Sequence, residues 1–314
     1  MVDSKQQWKA WLYLAPAIVL TLVFTVWPII NTVRMAFLEG YNHFDAMLGL
    51  PFKIGFANFK WVVTMGDFVT SLKTTMLLTV LTVPISTILA LLIAVALNSI
   101  RPLQKILQTI YFLPYVTNSI AIGMVFAAMF SIVGNLGTDG NDIIITAGII
   151  NNFLGLFGVE PINWMGAGSS YWANITVMVI YIVWNALPFK IMILLGGLQS
   201  ISKQYYDAAK VDGTPRRRVF TRITVPLLSP MIAYVFITGF IGGFKEYSSI
   251  VGVFGEDMGP VGAKGSLNTM VGYVYEVLPD LNYGQASAAA LILFAIIFVV
   301  TMINLQVSKK RVHF

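Results

Sequence analysis

A chain of 314 residues with 57% hydrophobic and 11% charged residues, and a mean hydropathy of +0.77, is too apolar for a globule covered by water. Its net charge of +6 and pI near 9.4 do not make it a nucleic-acid binder, because the basic residues are not gathered into an aromatic-laced stripe. With no cysteine and two histidines, His43 and His313, it lacks the material for a disulfide framework, a thiolate metal site or a His-based triad.

A helix needs about 20 apolar residues to cross hydrocarbon, where no water is present to satisfy backbone groups. Six segments reach that length, which predicts an all-α membrane protein with six transmembrane helices. Lys5 and Lys9 precede the first, residues 11–35. Pro16 and Pro28 interrupt it and no small-x-small cleavage site follows, so it reads as a retained span and not a signal peptide. An outer loop, 40–69, leads to the second span, 72–97, and a turn with Arg101 and Lys105 leads to the third, 103–133. The long loop 134–170 carries Asp139, Asp142 and Glu160 but no Lys or Arg, an apolar piece at 143–157 expected as an interfacial helix, and P-I-N-W at Pro161 to Trp164. The fourth span is 171–198 and the fifth 226–244. A Gly-rich outer region, 247–283, follows, in which 267–278 is expected to form a short helix returning toward the interior. The sixth span, 286–307, precedes Lys309, Lys310 and Arg311. Trp8, Trp11, Trp27, Tyr111, Tyr115, Tyr171 and Trp172 fall near span ends, where amphipathic rings sit at headgroup level.

Lys and Arg resist translocation, and here they gather in alternate loops and at both chain ends while the opposite loops are acidic or mixed, which puts both termini in the cytoplasm. No internal repeat or linker divides the chain, so residues 1–314 read as a single transmembrane domain.

Between the fourth and fifth spans lies a polar, basic stretch, about 202–230. Ser202 can cap a short helix, Tyr205, Tyr206, Ala208, Ala209 and Val211 give it an apolar side, and Gly213 permits a left-handed exit. A helix of about ten residues is unstable alone and needs a surface against which to bury those aromatics. The blander alternative is an amphipathic helix on lipid, with Arg216, Arg217, Arg218 and Arg222 on acidic headgroups.

Polar and aromatic residues of the fourth and fifth spans can line a path for a solute: Tyr181, Asn185 and Phe189, then Lys245, Glu246, Tyr247 and Ser248. Sugars suit such a wall, since hydroxyls want amide and carboxylate partners and C–H faces stack on rings. Lys190 is expected to snorkel to the inner face or pair, with a role in transport as the alternative, and Lys245 and Glu246 to pair, snorkel or face the path. Gly239-x-x-x-Gly243 reads equally as helix packing or as part of the wall. Asn98 and Asn118 suit bonds between helices, and the methionines packing. The string G-P-V-G-A-K-G-S at Gly259 lacks the ending of a phosphate loop, and the Asn174 glycosylation pattern begins a span.

The pattern D-A-A-K-V-D-G at Asp207 to Gly213, followed by a basic run and P-L-L-S-P, resembles the cytoplasmic "EAA" loop of ATP-binding-cassette importer permeases. L-A-P at Leu14, F-L-P at Phe112, P-I-N-W at Pro161, W-N-A-L-P-F at Trp184 and G-G-L-Q-S-I at Gly196 extend the resemblance over nearly the whole chain and narrow it to carbohydrate-uptake permeases of the maltose (MalF) type. Asp207 replaces the usual Glu, and Thr214 stands where a small residue is common.

The resemblance implies a type I importer fold and a multi-pass subunit of a bacterial-type cytoplasmic membrane, with no catalytic residue, metal or cofactor of its own. The implied partners are membrane lipid, a second related permease (a heterodimer, with a homodimer as the alternative), two ATPase subunits and an extracytoplasmic binding protein that delivers a sugar or oligosaccharide. It implies coupling to the ATPase through Tyr205, Tyr206, Asp207, Ala208, Ala209, Asp212 and Gly213. The positions matching the sugar-lining residues are Asn185, Ala186, Phe189, Gly242, Gly243, Glu246 and Ser248, beside Tyr181. Gly242 and Gly243 replace a bulkier aromatic and an amide, and Glu246 replaces another amide, which implies a roomier and more acidic cavity. The rival readings are a permease of the same superfamily for another solute, such as a glycerol phosphodiester, and an ATP-independent secondary transporter or channel.

Overall fold

The computed structural model describes residues 7–100, 104–136 and 142–311, so Lys5, Arg101, Asp139 and His313 lie outside the described residues. Five described helices are long and apolar enough to cross a membrane, and a sixth crossing is present if one sharply bent pair is a single span. The chain divides into two compact units, Met1–Phe68 with Tyr273–Ala295 and Val69–Gly272 with Ile296–Phe314.

In the first unit, α1 (Gln7–Thr21), a π turn (Leu22–Val26) and α2 (Trp27–Phe37) run on as one apolar helix, Trp8–Phe37. Pro28 enters at the start of α2, just after the π turn, where the missing amide leaves preceding carbonyls to re-pair. None of the apolar window of this helix is buried by the chain itself, so lipid or another subunit must cover it. Asn58, buried on α4 (Ala57–Thr64), ties down the exit from α2. Its Nδ2 donates to the Ala36 and Leu38 carbonyls at 3.1 and 2.7 Å, and its Oδ1 accepts from the Gly40 amide at 3.2 Å. Between them α3 (His43–Met47) is capped by Asn42, which accepts from the Phe44 amide at 2.8 Å.

The second unit is built on α5 (Gly66–Ser99) and α9 (Tyr171–Ser200). A seam of hydroxyls, Ser71, Thr75, Thr79, Thr82 and Ser86, runs down the buried side of α5 at intervals of three or four residues. Two of them bond within the helix, Thr75 to the Ser71 carbonyl at 2.8 Å and Ser86 to the Thr82 carbonyl at 2.6 Å.

The segment expected as the third span is a sharply bent pair. Two helices, α6 (Gln104–Val116) and α7 (Ser119–Phe130), meet at 98°. Pro114 weakens the last turn of α6, and Asn118 starts a new helix by accepting from the Ile120 and Ala121 amides at 2.8 and 3.4 Å. The expected interfacial helix at 143–157 is corrected. Strand β1 (Ile132–Leu136) pairs antiparallel with β2 (Asp142–Ala147), and only α8 (Ile149–Gly155) is helical. Buried Asn151 on α8 holds the P-I-N-W segment, bonding both the amide and the carbonyl of Ile162 and the Trp164 indole at 3.0 to 3.1 Å.

After α9 come α10 (Lys203–Val211), α11 (Arg216–Val219), a π turn (Phe220–Thr224) and α12 (Val225–Phe244), the last three continuous as Arg216–Phe244. Helix α13 (Ser248–Phe254) crosses α7 where Gly123 meets Gly252, so closely that a Cβ on Gly123 would stand 2.6 Å from the Gly252 backbone. The short helix expected within 267–278 is α14 (Met270–Val277), and α15 (Tyr283–Arg311) ends the described chain.

Candidate functional site

Helices α5, α6, α9 and α12 line an open cavity of about 300 Å³ in the second unit. Helix α9 contributes Ile182, Asn185, Ala186, Phe189 and Lys190, a stripe at helical spacing. Val235, Thr238, Gly239, Gly242 and Gly243 form the matching stripe of α12, with Glu246 just beyond its end, while α5 supplies Thr82, Val83 and Ser86 and α6 supplies Tyr115. The Tyr115 and Phe189 rings stack, with centroids 5.8 Å apart and planes 19° from parallel.

Asn185, Ala186, Phe189, Gly242, Gly243 and Glu246 are thus brought together on one wall. Tyr181 and Ser248 are not among the lining residues. Tyr181 is fully buried, its ring against Phe126 and its hydroxyl bonded to the Ser119 carbonyl, and Ser248 is the first residue of α13. Sequence reasoning missed Thr82, Ser86 and Thr238 and took Tyr115 only as a span-end ring; these residues come from three helices, α5, α6 and α12, with no local motif to mark them.

Lys190 neither snorkels nor meets an acid. Its ammonium, on a side chain only 4% exposed, donates to Ser86 Oγ at 2.7 Å, Thr87 Oγ1 at 3.0 Å and the Val83 carbonyl at 3.3 Å. Gly239 gives it room, since a Cβ there would stand 3.2 Å from the Lys190 Nζ. Gly243 packs as tightly on the Thr79 side chain, whereas a Cβ on Gly242 would meet nothing within 4 Å. The two glycines of the Gly239-x-x-x-Gly243 pattern therefore both pack and line the wall. Lys245 is exposed, and Glu246 Oε1 accepts from the Ser249 amide at 3.1 Å.

Helix α10 leaves at the far end of α9. Ser202 occupies its N-cap without a side-chain bond, and the exit is closed by Gly213 at φ +63° and by the Thr214 amide on the Ala209 carbonyl at 2.9 Å. Its apolar residues split between two faces. Tyr206 reaches Thr224 at 3.3 Å and Ala209 is buried, while Tyr205, Ala208 and Val211 point away from the chain, Val211 89% exposed. Behind the helix is a second cavity of about 660 Å³, with Asn98, Gln199, Lys203, Asp207, Lys210 and Arg216 in its wall.

Residues 83–313, which hold every named wall residue of both cavities except Thr82, match the family described as the binding-protein-dependent transport system inner membrane component. The chain belongs to that family. It is therefore a permease subunit, a multi-pass membrane component of a transport system. This permease is similar to the lactose transport system permease protein LacF of Rhizobium radiobacter, 28% identical and covering 96% of this chain and 95% of that one. It is similar to the arabinooligosaccharides transport system permease protein AraP of Bacillus subtilis, 29% identical over 95% of this chain and 88% of that one. The trehalose/maltose transport system permease protein MalF of Thermococcus litoralis is 28% identical over 96% and 94%. In fold, the permease matches a chain of a bacterial ABC transporter involved in import of the acidic polysaccharide alginate, with a TM-score of 0.76, 21% identity, and coverage of 98% of this chain and 96% of that one.

Proposed function

We propose that this permease belongs to an ATP-binding-cassette importer and carries a sugar or oligosaccharide, handed over by an extracytoplasmic binding protein, across a bacterial-type cytoplasmic membrane in which both its termini face the cytoplasm. The observation that carries the reading is the cavity. A few polar side chains, Asn185, Thr238 and Glu246 among them, are set in a mainly apolar wall beside a stacked pair of rings at the meeting of four helices, an arrangement that suits a saccharide's C–H faces and hydroxyls. The relatives' cargoes, lactose, arabinooligosaccharides and trehalose/maltose, support the same class of cargo here.

The permease needs no cofactor and hydrolyses nothing itself. Two ATPase subunits supply the energy, and a second related permease forms the other half of the passage. The outward face of α10, from Tyr205 through Gly213, is the coupling element: short, with Tyr205, Ala208 and Val211 on its outer side and held on its inner side at Thr224 of the π turn that runs into α12, it transmits closure of an ATPase cleft into movement of α9 and α12. A glycerol phosphodiester is a poorer cargo, because the only cation in the wall, Lys190, has its hydrogen bonds committed to α5.

The test is reconstitution with the neighbouring subunits and binding protein in nanodiscs, with a panel of sugars screened for stimulation of ATP hydrolysis. Stimulation by at least one sugar is expected. Uptake in nucleotide-free vesicles driven by an ion gradient contradicts the reading.

A further inference from the structure

The chemistry of the cavity wall continues past Phe189 toward α10. On α9, Asn185, Phe189, Met192, Gly196 and Gln199 follow one another in steps of three and four residues, so they share one stripe that runs from the cavity to the end of the helix. On α6, Tyr115, Phe112 and Gln108 do the same. Beyond the stacked rings of Tyr115 and Phe189 the two stripes line a groove of about 350 Å³, to which α6 gives Gln108 and Phe112 and α9 gives Met192, Gly196 and Gln199. The Phe112 and Tyr115 rings lie 5.4 Å apart, so aromatic surface passes unbroken from the cavity into the groove. Gln199 also stands in the wall of the cavity behind α10, which makes the groove the link between the two cavities.

Among the described residues the groove's lining carries no charge. Neither the half-buried Gln108 nor the exposed Gln199 has a hydrogen-bond partner for its side-chain amide among those residues. Polar side chains on spans face a water-filled path or other protein in preference to hydrocarbon. Neutral donors and acceptors beside a ring suit a sugar's hydroxyls and C–H face, whereas a lipid phosphate finds no cation there.

We propose that this groove is a second saccharide subsite, which cargo occupies after leaving Phe189 and before reaching the end of α9, the cytoplasmic end in the orientation proposed above. Phe112 supplies the stacking face, and Gln108 and Gln199 bond the hydroxyls. The inference rests on the sugar-import reading and adds a station to its route.

The chain has no cysteine, so one substitution places a unique thiol on it, either Gly196→Cys in the groove, where a Cβ meets nothing within 4 Å, or Thr238→Cys in the first cavity. The transporter assembled in nanodiscs without nucleotide is treated with a charged, water-soluble methanethiosulfonate, alone and with lactose, maltose, trehalose or arabinotriose, and modification of this chain is followed by mass spectrometry. Both thiols should react, and the same sugar should slow both. Gln108→Leu and Gln199→Leu should each raise the sugar concentration that protects Gly196→Cys by about 2–10-fold, the loss of one hydrogen bond, and leave protection of Thr238→Cys unchanged. If Gly196→Cys is not modified, because lipid or a helix of the second permease covers the groove, the proposal is overturned. Protection of Thr238→Cys alone overturns it too, as does protection of Gly196→Cys that neither leucine variant shifts; these outcomes leave the sugar reading standing. If no sugar protects either thiol and none stimulates ATP hydrolysis, the sugar reading itself falls and takes this inference with it. Assembly with the ATPase subunits reports whether each variant is folded, and Met192→Cys, on the same stripe, replaces Gly196→Cys if that variant does not assemble.

Discussion

Replacing Gly213 with valine perturbs α10, the proposed coupling helix, without touching the rest of the molecule. Gly213 has φ +63°, in the left-handed region, and a Cβ there would meet no atom within 4 Å. The cost of a side chain is therefore backbone strain alone, about 1–2 kcal/mol for an L-residue and toward the upper end for a β-branched one. That strain falls on the turn closed by the Gly213 amide on the Lys210 carbonyl, 3.2 Å, and the Thr214 amide on the Ala209 carbonyl, 2.9 Å. Relieving it unwinds the end of α10, since its nine residues have little stability of their own to oppose this. A penalty of that size corresponds to a fall of about 5–30-fold in the population of the docked helix. Gly213→Val should accordingly cut sugar-stimulated ATP hydrolysis by that factor in reconstituted transporter, while sugar binding in the cavity is unaffected. Gly213→Asn, whose side chain tolerates this conformation, should fall between the two. Stimulation in Gly213→Val equal to that of the unaltered protein refutes the reasoning, as does an asparagine variant as impaired as the valine one.

Other expectations follow from the packing and the cavity. Gly123→Ala forces a methyl against the Gly252 backbone 2.6 Å away and should destabilise the assembly by about 1–3 kcal/mol, seen as a lowered Tm, whereas Gly242→Ala, with open space before it, should leave Tm within error. Phe189→Ala removes one ring of the stacked pair and should weaken sugar binding by about 2–10-fold, from ~0.5–1.5 kcal/mol of lost stacking, without affecting basal ATP hydrolysis. An unchanged affinity would remove Phe189 from the cargo site.

How much of this was legible beforehand depended on whether the signal was local. Hydropathy windows found the membrane segments because they count apolar residues, but the count carries no direction, so the 98° bend after Pro114 went unseen although Pro114 and the capping Asn118 stood in plain view. The hairpin at β2 was misread because Ile143, Ile144 and Ile145 are as apolar as a helix face; their β-branching was the overlooked clue. Gly213 announced the end of α10 correctly, since a left-handed exit is a property of one residue. Which side of that helix faces inward was not readable, because Thr224, to which Tyr206 turns, belongs to the next helix. Lys190 was the hardest residue. A lysine in a span suggests snorkelling or an acid partner, and its actual acceptors lie on α5, about a hundred residues earlier in the chain.

The claim on which the account depends is that the outer face of α10 sits in an ATPase subunit on the cytoplasmic side. The chain contains no cysteine, so Val211→Cys, at a position 89% exposed, introduces a unique thiol on that face. Cross-linking from this thiol in membranes of cells producing the whole transporter should yield an adduct with the ATPase subunit, one that changes with bound nucleotide, and the thiol should be protected from cytoplasmic maleimide while the ATPase is present. Labelling from the external side, or free cytoplasmic labelling with no adduct in the assembled transporter, contradicts it.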